Sequence, residues 1–157
     1  NERHCFTAAD ICEIHRCWLS EIYEWAGEYR QVNVSKGDFP FAAAARIPDL
    51  MGEYERIVLA KYTPCNLRDR VAVARALAES HVELTLIHPF REGNGRVARA
   101  LSILMALQAG LPLLDFSAIA GEKKQEYFAA VQAGLERYYA PMERLFSEII
   151  ERSLASS

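Results

Sequence analysis

Within the twelve residues His88-Pro89-Phe90-Arg91-Glu92-Gly93-Asn94-Gly95-Arg96-Val97-Ala98-Arg99 the chain gathers a titratable base, a carboxylate, two glycines and three arginines. Gly93 and Gly95 allow a tight turn, so that the amides of residues 93–96 point outward at the start of a helix. Free amides and the helix dipole both favour an anion at that place. Arg96 and Arg99 are spaced to share one face of the first turn. Cations there oppose the dipole by about 0.3–1 kcal/mol each, so two of them point to a polyanionic ligand that reverses the local field. A phosphate chain fits. Glu92, just ahead of the amides, is placed to hold Mg²⁺ against phosphates, since magnesium takes one or two carboxylates plus substrate oxygens. His88 is the one group in the segment that takes up a proton near pH 7. A base, a metal carboxylate and an anion cradle suit transfer of a phosphate-linked group, which needs in-line positioning and charge stabilisation more than covalent chemistry.

The same glycines also fit the dinucleotide fingerprint, as Gly93-x-Gly95-x-x-Ala98 followed by Asp115. That fingerprint needs a strand directly before its first glycine. Here His-Pro-Phe-Arg-Glu intervenes, residues 71–87 carry helical spacing, and no βαβ unit is present.

The elements that must position this segment are helical. Residues 10–25 are predicted as an amphipathic helix through Ile11, Ile14, Trp18, Leu19, Ile22 and Trp25, started by Thr7 with Asp10 and ended by Gly27. Residues 29–34 alternate as a short strand, Ser35-Lys36-Gly37-Asp38 supplies a turn, and Phe39-Pro40-Phe41 returns as an edge, giving a small hairpin. Helical spacing resumes over 47–62, is punctuated by Pro64, and continues over 68–87 to a stop at His88-Pro89. Residues 97–109 are apolar nearly all round, which marks the buried central helix, closed by Gly110 and Pro112. Ser117 opens a further stretch with 125–139, and the last helix runs over 141–154. The prediction is an all-α fold, one domain over residues 1–157, with one small β-hairpin.

Composition agrees. The 157 residues are 51% hydrophobic and 25% charged, the balance of a folded domain with its own core. A net charge of −3 provides no basic field for nucleic acid or anionic lipid, so no direct nucleic-acid or membrane partner is expected. The apolar run 100–107 is too short to span a bilayer and no secretory leader opens the chain, so a cytoplasmic location is expected. Asn1 in place of Met suggests a fragment that lacks upstream sequence. Cys5, Cys12, Cys17 and Cys65 form no C-x-x-C and read as packed thiols in place of a zinc cluster. His15 and His81 read as core or surface histidines, and Arg91 as exposed. Tyr127, Tyr138 and Tyr139 read as packing residues, with an adenine pocket as the alternative.

Residues 88–99 match, without departure, the signature H-x-F-x-[DE]-G-N-G-R-x-x-R, and by it the chain resembles the Fic (filamentation-induced-by-cAMP) family. Flanking features agree: the Ile14-His15 helix, Trp25-Ala26-Gly27-Glu28-Tyr29-Arg30, Val32-Asn33-Val34-Ser35-Lys36-Gly37, Phe39-Pro40-Phe41 and Pro141-Met142-Glu143, so that the likeness covers about residues 6–152. The resemblance implies an all-α fold and transfer of AMP from Mg-ATP to a Ser, Thr or Tyr hydroxyl of a target protein. It makes His88 the base, Phe90 a core anchor and Glu92 the Mg²⁺ ligand. It makes Gly93, Asn94 and Gly95 the anion hole, with Arg96 and Arg99 on the nucleotide phosphates. The hairpin of residues 32–41 resembles the family flap that pairs with the target backbone, with Lys36 and Phe39 clamping the target side chain beside His88. Doc-type kinases carry Lys where this chain has Gly95, which favours AMP transfer. The alternatives are a toxin–antitoxin interaction module that only binds nucleotide, or transfer of UMP, phosphocholine or phosphate.

Family members are commonly restrained by a helix carrying [ST]-x-x-x-E-[GN], whose Glu pairs with the second arginine, here Arg99. Ser20 to Glu24 is followed by Trp25, and Ser147 to Glu151 by Arg152, so the complete motif is absent. The Glu then comes from a segment upstream of Asn1 or from a separate small antitoxin, with the C-terminal helix through Glu151 as a further alternative. The separate antitoxin is the expectation, and the site of action is the bacterial cytoplasm or a host cell cytoplasm into which the protein is delivered.

Overall fold

Thr7 caps the first helix, α1 (Ala8–Leu19): its hydroxyl accepts the Asp10 amide while the Asp10 carboxylate accepts the Thr7 amide. The structure, a computed structural model, describes residues 2–157. The predicted start of α1 is close, but the helix stops well before Trp25. The amides of Ile22 and Tyr23 both return to the Leu19 carbonyl, and the Gly27 amide donates to His15 Nδ1, so the chain folds back over its own helix. Trp18 and Ile22 continued the apolar spacing, yet they are 50% and 66% exposed. Their periodicity did not report burial.

The hairpin is present and shorter than predicted: β1 (Ser35–Lys36) pairs antiparallel with β2 (Phe39–Pro40), Ser35 opposite Pro40 and Lys36 opposite Phe39. Residues 29–34 are not a strand, because they are held by side chains in place of a ladder. Arg30 bonds four backbone carbonyls, and Asn33 Oδ1 accepts the Ala44 amide.

Residues 47–62 are helical as predicted, in three parts: α2 (Ile47–Tyr54), one wider π turn (Glu55–Leu59) and α3 (Ala60–Tyr62). Asp69 caps α4 (Arg70–Ile87) by accepting the Ala72 amide. The remaining helices are α5 (Asn94–Gln108), α6 (Ser117–Ala120), α7 (Lys124–Ala133) and α8 (Ala140–Ser156). The central helix is α4, not the predicted α5. It lies between α5 and α8 and is buried beyond its second turn through Ala76, Leu77, Ala78, Val82 and Leu84, its exposed residues (Arg70, Val71 and Arg75) lying in the first turns. Three buried alanines of α4, Ala74, Ala76 and Ala78, let its neighbours approach closely. Cys65 is buried and Cys12 half-buried, but Cys5 and Cys17 are exposed, contrary to their reading as packed thiols. Among the described residues no helix is long and apolar enough to cross a membrane. The loop between α4 and α5 holds the segment with the chemistry.

Candidate active site

Helix α4 ends on His88, whose backbone is left-handed at φ 52, ψ 61. A residue with a Cβ takes that conformation at a cost of about 1–2 kcal/mol, so surrounding bonds must hold it. The Arg30 Nε donates to the His88 carbonyl at 2.6 Å, and the Arg30 amide to the Pro89 carbonyl at 2.9 Å. The His88 ring stacks on Phe41, centroids 3.8 Å apart. His88 Nδ1 is buried without a well-formed hydrogen bond, with the Thr85 backbone against it. Protonation at Nδ1 leaves the lone pair on Nε2, the ring nitrogen open to the adjoining cleft. Burial first, then the Arg30 charge, push the His88 pKa down to about 4. At neutral pH it is an unprotonated base.

The loop after it is locked from within. The Asn94 side chain accepts the Phe90 amide at 2.9 Å and donates to the Phe90 carbonyl at 2.7 Å. Phe90 is fully buried and stacks on His15 at 3.8 Å. Because His15 Nδ1 accepts the Gly27 amide (2.8 Å), its proton sits on Nε2, which donates to the Glu92 carbonyl at 2.9 Å. Burial lowers the His15 pKa and keeps this neutral tautomer. Gly93 then takes φ +81, and a Cβ there would lie 2.8 Å from Leu19 Cδ1. The first intrahelical bond of α5 runs from the Val97 amide to the Gly93 carbonyl. The amides of Asn94, Gly95 and Arg96 therefore lie ahead of it, free of intrahelical partners. Asn94 serves this cradle by its amide alone, since its side chain is turned into the loop.

Arg99 lines the cleft and is partly buried, whereas Arg96 is exposed; among the described residues no ion pair engages either. Glu92 is exposed, and Tyr23 donates its hydroxyl to Glu92 Oε2 at 2.7 Å. The cleft, ≈ 820 Å³, runs between the hairpin, the end of α4, α6 and α7. Lys36 reaches over it to the Phe128 ring of α7, Nζ 3.6 Å from the centroid. Phe39 is edge-on to Phe41 and lines the cleft with Lys36, and the ring stacked on His88 is that of Phe41. Tyr127, predicted to pack, is buried and also lines the cleft; its hydroxyl bonds His81 Nε2 at 2.6 Å. Tyr138 lies exposed, and Tyr139 donates to Glu83 away from the cleft. A second cleft, ≈ 900 Å³, lies beyond residues 27–32, and neither His88 nor residues 93–99 line it.

His15, Tyr23, Arg30 and Phe41 are the site residues that sequence reasoning missed. His15, Arg30 and Phe41 lie inside flanking features already noted; nothing local marked Tyr23.

Residues 5–106 match the profile of the Fic/DOC family. The chain is 30% identical over 142 residues to the "Probable protein adenylyltransferase Fic" of Salmonella typhimurium, covering 90% of this chain and 70% of that one. It is also 30% identical to the protein adenylyltransferase VbhT of Bartonella schoenbuchensis, over 90% of this chain and only 28% of the longer protein. Among solved structures, the VirB-translocated effector BepC of Bartonella tribocorum with bound AMPPNP superposes with a TM-score of 0.73 at 26% identity, over 91% of this chain and 73% of that one.

Proposed function

Because the chain belongs to the Fic/DOC family, we propose that it is a protein adenylyltransferase, moving AMP from ATP to a hydroxyl of a target protein. The observation that carries this is the meeting of a neutral His88, the free amides of residues 94–96 and Arg99 at one cleft. The target hydroxyl loses its proton to His88 Nε2 as its oxygen bonds the α-phosphorus. The bond from that phosphorus to the bridging oxygen breaks, and pyrophosphate leaves. The amides and Arg96 and Arg99 hold the phosphate charge in place before and during this step, which costs no reorganisation. Adenine fits the apolar end of the cleft, between Phe116, Tyr127 and Phe128.

Glu92 suits magnesium: it offers a hard, exposed carboxylate whose second oxygen remains open while Tyr23 holds Oε2. When bound, Mg²⁺ neutralises phosphate charge. Gly95 suits AMP transfer, because a Cβ there would lie 3.1 Å from Arg99 Nη1 and a longer side chain would displace that guanidinium. The hairpin offers an open edge for a target strand, with Lys36 and Phe39 at its rim over the cleft. Arg99, which pairs with no carboxylate among the described residues, is open to a Glu from a separate antitoxin. The protein then acts in the cytoplasm of its bacterium or of a host cell; the VirB-translocated likeness supports the latter.

The test is incubation with a lysate and ATP labelled at either phosphate. Label carried to protein from α-³²P-ATP identifies AMP transfer. Label carried only from γ-³²P-ATP identifies a kinase, and nucleotide binding without any transfer identifies a binding module.

A further inference from the structure

Arg30 is 2% exposed, and among the described residues no carboxylate pairs with it. Its side chain donates only to backbone: Nε to His88 (2.6 Å), Nη1 to Val32 (2.8 Å), and Nη2 to Ala42 (2.5 Å) and Ile87 (3.2 Å). The Ile87 and His88 carbonyls are at the end of α4, where no partner exists within the helix and where a cation meets the negative end of the dipole. The other two carbonyls stand at the two feet of the hairpin, Val32 before β1 and Ala42 after β2. The Ala42 amide adds a bond to the Leu86 carbonyl at 3.3 Å.

A charge buried without a counter-ion is costly, and burial lowers the Arg30 pKa accordingly. Closing α4 does not require it, since glycine at the left-handed position ends helices without strain. Four carbonyls converging on one planar fork, two at the base and two at the hairpin, have a different consequence. They fix the distance between His88 and the strand edge above it. Lysine could not do this: its ammonium is a single point with no fork to span carbonyls on both sides.

We propose that Arg30 is a positioning residue for the transfer reaction, which clamps the hairpin to the left-handed His88 so that a hydroxyl presented along the hairpin edge meets Nε2. This rests on the adenylyltransferase reading for its kinetic consequence only. The charges that act on the His88 ring are Arg30, below it, and Lys36, from the hairpin; both favour the neutral imidazole.

The test uses the full chain with Arg30→Lys and Arg30→Gln, followed by amide hydrogen exchange, NMR titration of the His88 ring and steady-state kinetics with Mg-ATP. In both variants the amides of residues 32–42 exchange about 10-fold faster or more, while α5 and α8 keep their protection. ATP affinity stays within about twofold and kcat falls by about 10²-fold. The His88 midpoint rises in Arg30→Gln and stays in Arg30→Lys, which keeps the charge without the fork. Wild-type exchange in the hairpin of both variants overturns the proposal. So does protection lost evenly across α4, α5 and α8, which would make Arg30 an ordinary core cap. If the unmodified protein transfers no AMP, the adenylyltransferase reading fails, while exchange and titration still decide the role of Arg30.

Discussion

Gly95→Ala should move fold stability and nucleotide affinity in opposite directions. The added Cβ lies 3.1 Å from Nη1 and 3.7 Å from Cζ of Arg99. The first distance is a few tenths of an ångström short of ordinary contact, and the atom it meets is the far end of a flexible side chain. The guanidinium therefore shifts while the helix stays. Gly95 is the second residue of α5, where alanine is preferred by about half of the ~1 kcal/mol it gains in a helix interior. At about 2–4 °C per kcal/mol for a chain of this size, Tm should rise by about 1–2 °C. Nucleotide binding should weaken, because a charge-assisted bond from arginine to phosphate contributes about 1.5–3 kcal/mol and depends on alignment. Losing most of it lowers ATP affinity by about 10–100-fold. Calorimetric melting and ATP titration on one preparation read both quantities. ATP affinity equal to wild type would refute the placing of Arg99 on the phosphates, and a fall in Tm would refute the view that Gly95 serves the site and not the fold.

The lowered pKa of His88 keeps it unprotonated through neutral pH and is lost as a source of activity only as pH falls through it; kcat/KM should hold its plateau below pH 6.5, and an acid limb at or above 6.5 in a pH–rate profile contradicts this. His81, fully buried between Tyr127 and Ser102, has its pKa lowered to about 4 from 6.5. Its stabilisation is complete above 6.5 and fades as pH falls toward 4, by about 3 kcal/mol; His81→Gln should flatten urea-measured stability over that range, and parallel pH curves would disprove it. The Val34 carbonyl accepts the Phe41 amide, so the next residue, Ser35, presents its amide to the open side of the hairpin. Ser35→Pro should reduce target labelling by about 10-fold and leave ATP affinity alone; undiminished labelling rules out strand pairing.

What was legible in the sequence was local. The Thr7–Asp10 capping box, the extent of residues 47–62, the stop of α4 at His88-Pro89 and the hairpin around Gly37 each depend on neighbours a few residues apart. So does the cradle, whose residues all lie within 88–99. What was not legible depends on partners brought together by folding. Trp18 and Ile22 keep helical spacing while facing outward, so nothing in their pattern revealed the turn after Leu19. Residues 29–34 alternate like a strand, yet Arg30 draws the carbonyls that a ladder would use. His15 reaches Glu92 across 77 positions, Tyr23 reaches it across 69, and Arg30 reaches His88 across 58. No periodicity encodes those meetings.

The central claim is that His88 handles the proton while its neighbours hold the nucleotide. It is tested most directly by measuring ATP affinity and AMP labelling side by side in the unmodified protein and in His88→Ala. Labelling should disappear while ATP affinity stays within about threefold, since the imidazole faces the incoming hydroxyl and not the phosphates. Labelling that survives in His88→Ala, or ATP binding lost along with it, would contradict the division of roles derived from the cleft.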